Sequence, residues 1–161
     1  MNIRSRARGE EGAAAVEFAL IVGVLAMLIF GMLQFGLAFF QLQNLRAATR
    51  EGARVGAVDG TAQDMRDRVQ NASGLSSSTP LGSSVYLATR TGTASPTPFA
   101  GAATDKPCDP ATGTPPDSVI AGVDLKTAPA GIQNVFTVDI PLLPTIDLRS
   151  AVVEGEFRCE I

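Results

Sequence analysis

The residues with the most chemistry to offer lie near the start of the chain. Gly12 is followed, five positions on, by the carboxylate of Glu17 and then by Phe18. Glu17 opens an apolar run that holds no charged residue from Phe18 to Phe40, with Gln34 its one strongly polar member. A carboxylate inside hydrocarbon costs about 2.5–3.5 kcal/mol at the centre and less near the edge, so this one calls for a reason. Two are open: a charge pair with a neighbour, or an acid that complements the positive end of a helix dipole. Histidine is absent, which removes the commonest general base and the commonest metal ligand. No serine, threonine or cysteine is matched with a substitute base, and Lys106 lies in no glycine-rich phosphate loop. The sequence reads as that of a protein without enzymatic activity, small-molecule substrate or cofactor.

The remaining reactive groups are few. Cys108 and Cys159 are the two cysteines. An even count in an exported domain favours a disulfide, worth roughly 2–4 kcal/mol for a loop of about 50 residues. Two unpaired residues, one of them in the core, are the alternative. Asp105, Asp109 and Asp117 share one loop but lack the spacing of a calcium-binding hand, so a solvated loop is the reading and no metal is expected. Asn71-Ala72-Ser73 fits a glycosylation triplet, a pattern frequent by chance.

Elements must position these groups. The apolar run, as a helix, extends roughly 35 Å at 1.5 Å per residue, enough for a hydrocarbon core of about 30 Å. It is too long for the apolar core of an ordinary cleaved signal and too free of charge for a buried core helix. A transmembrane helix over 13–41 is expected. Arg4, Arg6 and Arg8 before it favour a cytoplasmic N-terminus, whereas Arg46, Arg50 and Arg54 after it argue the other way. The short N-terminal tail and the cysteine pair in the C-terminal part place the latter outside, in the periplasm or at the cell surface. A net charge of -3 does not favour a nucleic-acid partner.

Past the run, Leu45, Ala48, Gly52, Val55, Val58, Ala62, Met65 and Val69 keep a helical period over 42–70. Asp59-Gly60 predicts a break near 59–61, with Thr61 and Asp64 capping a restart. Arg46, Arg50 and Arg54 step by four along another face, suited either to anionic lipid head groups or to a docking partner. Residues 71–161 read as a small β-rich domain with a long loop at 91–117. Strands are expected at 85–89, at 119–125, at 132–140 and at 150–161, the last with 151, 153, 155, 157, 159 and 161 facing inward and Pro141 and Pro144 marking the turn before it. The expected class is α+β: a long N-terminal transmembrane helix continuing as an amphipathic stalk, packed against a small antiparallel sheet.

Basic tail, Gly12, AAAV, Glu17-Phe18 and an apolar helix together resemble the processing signal of type IV pilins and pseudopilins. AAAVEFAL, then the apolar run, then AATREGARVGA at 47–57 resemble more narrowly the TadE-like family of tight-adherence (Flp-type) pilus proteins. The resemblance covers about 12–58. It implies a leader at 1–12, removed by a prepilin peptidase that cuts between Gly12 and Ala13. It implies that Glu17 pairs with a neighbouring subunit's terminal amine during assembly. The implied partners are that peptidase, the Flp-type pilin, other minor pilin-like subunits and the cytoplasmic membrane. Two features depart from classical major pilins, which carry an aromatic residue where this chain has Ala13: that alanine, and the acidic Glu10 and Glu11 beside the site.

Overall fold

The computed structural model describes residues 4–75, 80–109, 114–139, 144–150 and 152–160, with side chains from Gly12 onward. One helix, α1 (Arg4–Ala57), takes in the whole apolar run and continues beyond it without a break. It is long and apolar enough to cross a membrane. Its large apolar side chains from Val16 to Phe40 are mostly exposed.

α1 ends through its own backbone. The Gly60 N–H donates to the Val55 carbonyl at 2.9 Å, across a left-handed residue. That residue is Asp59, at φ 67°, and not the glycine beside it. Gly60 is needed for a different reason: a Cβ there would meet the Val55 carbonyl oxygen at 2.5 Å. The turn leaves Val58 exposed, outside the buried stripe that its spacing suggested.

α2 (Ala62–Ala72) starts at Thr61 with a reciprocal capping box. Thr61 N–H donates to the Asp64 carboxylate at 3.0 Å, and Asp64 N–H donates to the Thr61 hydroxyl oxygen at 3.1 Å. The Thr61 hydroxyl, which donates to the Asp64 carboxylate at 2.7 Å, and then the Thr61 N–H hold that carboxyl below its ordinary range. Thr61→Ala is expected to cost about 1 kcal/mol, the usual worth of an N-cap, read as a lower midpoint of denaturant unfolding at unchanged slope. α2 turns back on α1 and buries Ala62, Met65 and Val69. The approach is close because α1 offers glycines there: a Cβ on Gly52 would meet Val69 Cγ2 at 2.4 Å, and one on Gly56 would meet Met65 Sδ at 2.4 Å.

The main sheet has the order β2-β1-β3-β6 and is antiparallel throughout. Its strands are β1 (Val85–Arg90), β2 (Thr97–Pro98), β3 (Ser118–Asp124) and β6 (Val152–Arg158). Register aligns Val85, Val123 and Val153 in one row and Leu87, Ala121 and Gly155 in the next. This face packs on α1 and α2, with Ala121 Cβ close enough to touch a Cβ placed on Gly52. The opposite face is a polar ladder. Tyr86 O–H donates to Glu154 across Gly122, and Glu156 takes both the Ser118 hydroxyl and an Arg90 ion pair at 3.2 Å. Burial, with Glu154 beside it, pushes the Tyr86 hydroxyl up. The central strand β3 is buried along nearly its whole length: one face packs on the helices, and on the other Ile120 lies between Ala88 and Glu156 of the neighbouring strands. The architecture is thus α+β, a long apolar helix and a small antiparallel sheet.

Three sequence expectations need correction. The stretch at 132–140 is not one strand. It forms α3 (Ala130–Gln133), a 3₁₀ turn at Asn134–Phe136 and then the two-residue β4 (Thr137–Val138). Ile132 and Phe136 are both buried, but they are four apart, a spacing that suits a helical turn as well as an extended chain. The last strand ends at Arg158, and Phe157 is 40% exposed because β6 is an edge strand. The loop at 91–117 carries β2, whose Thr97 and Pro98 pair with β1. Ile140, Pro141, Ala151 and Ile161 lie outside the described residues.

A second, two-stranded sheet joins β4 to β5 (Ile146–Asp147). Val138 on β4 is buried against Ala38 of α1, with Met27, Phe35 and Leu148 packed around the pair.

Candidate functional site

Gly12, Ala13, Glu17 and Phe18 all lie within α1 and are exposed. Gly12 has open space around its Cα. Glu17 is one helical turn beyond Ala13 on the same face. Helical side chains lean toward the N-terminus, so its carboxylate is directed at the turn that contains Ala13. Among the described residues no cation pairs with Glu17. Glu17 therefore meets the two conditions for an intermolecular charge contact: it is accessible, and its neighbours Val16, Phe18, Leu20 and Ile21 form an exposed apolar surface.

The basic residues divide. Arg46, Arg50 and Arg54 are all exposed. Glu51 lies between Arg54, at 3.9 Å, and Arg68 of α2, at 3.6 Å, so the third arginine belongs to a small surface network. Exposed pairs of this length add little stability.

Cys108 and Cys159 are joined by a disulfide, with Cα atoms 5.6 Å apart. The bridge ties the C-terminal residues to the loop that braces the α1–α2 turn. In that loop the Asp105 carbonyl accepts from Ala62 N–H and the Ala103 carbonyl from Gln63 N–H, each at 2.8 Å. Lys106 Nζ meets the Asp59 carboxylate at 2.6 Å, which holds the Lys106 ammonium above its ordinary range. The loop's carboxylates are spent on separate tasks: Asp105 caps Ala102 N–H at 2.7 Å and Asp117 accepts from Gly92 N–H. No group of three or more potential metal ligands occurs among the described residues.

The exposed helix with an acid near its start is the part of the chain that has a recognised counterpart. Residues 12–54 match the TadE-like protein family. The TadE-like stretch begins at Gly12, takes in Glu17 and ends within α1, so α2 and both sheets lie outside it. No curated protein and no solved structure matches the chain. The matched stretch is the part of α1 that is long and apolar enough to cross a membrane.

Sequence reasoning missed the contacts made by glycine. Gly52 and Gly56 are spaced by four, a visible sign of close helix packing. Gly155 occupies an inward slot of a strand, a sign that another backbone approaches.

Proposed function

We propose that the protein is a minor pilin-like subunit, a pseudopilin, that helps assemble a tight-adherence pilus or related secretion machinery. Cleavage by a prepilin peptidase between Gly12 and Ala13 frees the Ala13 amine. The chain then crosses the cytoplasmic membrane once, with its domain on the outer side. The observation that carries this reading is the TadE-like match that starts at Gly12 and contains Glu17. Its action is assembly, through α1 packing with the Flp-type pilin and other minor pilin-like subunits.

The chemistry is that of a charge pair in a poor solvent. A carboxylate and an ammonium attract far more strongly in low dielectric than in water, and either one left unpaired there is penalised. Glu17 thereby rewards one stagger between neighbouring helices, the one that brings a terminal amine to its level. Gly12 suits the cut because glycine is a weak helix former and lets the chain open locally.

Glu17→Gln keeps the side-chain volume and removes the charge. It is expected to weaken association with partner subunits on the order of a hundredfold, since losing one member of a buried ion pair costs about 3 kcal/mol or more. Co-purification of partner subunits from membranes measures this. Unchanged recovery would show that Glu17 makes no such pair.

A further inference from the structure

The buried seam of α1 does not begin where the apolar run ends. It starts inside the run, at Met27, and continues through Gly31, Phe35 and Ala38. These positions step by four, four and three and so share one face. Further on, the seam passes through Leu42, Leu45, Ala48 and Thr49 to the main core. What covers the Ala38 end is the β4–β5 sheet: Val138 is 2% exposed and Ala38 1%.

Depth along the helix makes this placement informative. With Glu17 at the inner edge of the hydrocarbon, Ala38 lies about 32 Å along the axis, level with the outer edge of a core of about 30 Å. Phe35 and Met27 are deeper. The apolar residues of α1 that flank the contact, Leu33, Leu37 and Phe39, are exposed. So is Ile146, the cross-strand partner of Val138, at 38%. Asp147 pairs with Arg149 at 2.7 Å and Arg149 also donates to Gln133 at 3.2 Å, while Asp139, next to Val138, is exposed.

We propose that the β4–β5 sheet is a lipid-contact element: it seats beside α1 at the outer edge of the bilayer, with Ile146 against phospholipid acyl chains and the Asp147–Arg149 pair among head groups. The exported domain is then docked into the outer leaflet and not held clear of it. Its place against Ala38 fixes how far α1 is drawn into the membrane. The inference rests on the reading that α1 spans the bilayer.

The test uses the full chain with its disulfide, reconstituted in vesicles of phosphatidylethanolamine and phosphatidylglycerol. Single spin labels are placed at Val24→Cys, Ile146→Cys and Thr97→Cys, all exposed positions. Oxygen, enriched in lipid, and a water-soluble nickel chelate compete as relaxing agents. Val24 is the lipid reference and Thr97 the water reference. The expected result is an oxygen-to-nickel ratio at Ile146 several-fold above that at Thr97 and approaching that at Val24. A ratio at Ile146 equal to that at Thr97, with Val24 still in lipid, would overturn the proposal alone. Shielding of Ile146 from both agents would also overturn it, by showing a protein cover. A water-exposed Val24 would bring down the spanning reading and this proposal together.

Discussion

Gly155→Val is expected to destabilise the domain by about 3 kcal/mol, at the upper end of what overpacking costs, and to lower its melting temperature by roughly 10 °C. A Cβ at Gly155 would meet Arg50 N at 2.4 Å, Thr49 C at 2.5 Å and Arg50 Cα at 2.6 Å. All three atoms are helix backbone and cannot turn aside, so β6 must lift from α1. Because β6 lies at the sheet edge over α1, that movement would loosen the domain from the helix that holds it. Gly122 supplies the contrast. The three atoms nearest a Cβ there all belong to the Tyr86 side chain, the first at 2.3 Å, and that side chain can swing toward solvent. Gly122→Ala should therefore cost less than Gly155→Ala. Thermal unfolding of the full chain in detergent, followed by circular dichroism, reads both. A Gly155→Val protein that melts within about 2 °C of the parent would show that the close approach carries no weight.

Loss of the Cys108–Cys159 bridge should be the other large effect. The two residues are 51 apart in sequence, and closing a loop of that size is worth about 4 kcal/mol on chain entropy, near the top of the usual 2–4 kcal/mol. The consequence is local as well as global. The bridge anchors the loop whose Ala103 and Asp105 carbonyls brace the start of α2, and it adjoins Glu160, whose N–H donates to the Ala57 carbonyl at 3.1 Å. Cys108→Ser with Cys159→Ser should thus lower stability by about 2–4 kcal/mol and speed amide exchange at Ala62 and Gln63, at the start of α2, before that in the sheet. Equal stability in the oxidised and fully reduced protein, with two thiols titrated in the latter, would contradict this.

The parts of the fold that sequence revealed are those where one physical effect dominates. An uncharged stretch from Phe18 to Phe40 leaves a long helix as the economical solution, and Thr61 with Asp64 announces a helix start through local bonds alone. Strands β1 and β3 showed because several apolar residues fall in one extended run. Less was legible where structure depends on distant backbone. The two-residue strands β4 and β5 are too short to display a period; they pair with each other, and Val138 of β4 packs on Ala38. Ile132 and Phe136 carry a spacing that two conformations satisfy. Pro129 and the bonds from Gln133 to the Lys126 and Ala128 carbonyls, at 2.9 and 2.7 Å, favour the helical one. For the candidate site, residue types and spacing named Gly12 and Glu17, and the structure adds their exposure and shared helix. The partner we propose for Glu17, a neighbouring subunit's terminal amine, is not displayed by a single chain.

We propose that the chain is processed after Gly12 and works from Ala13 onward. The intact mass and amino-terminal sequence of the membrane-bound protein, with and without the cognate prepilin peptidase, test it most directly. The expected chain begins at Ala13 only when the peptidase is present. A chain that still begins at Met1 or Asn2 in both preparations would contradict it and make the protein a plain signal-anchored envelope protein.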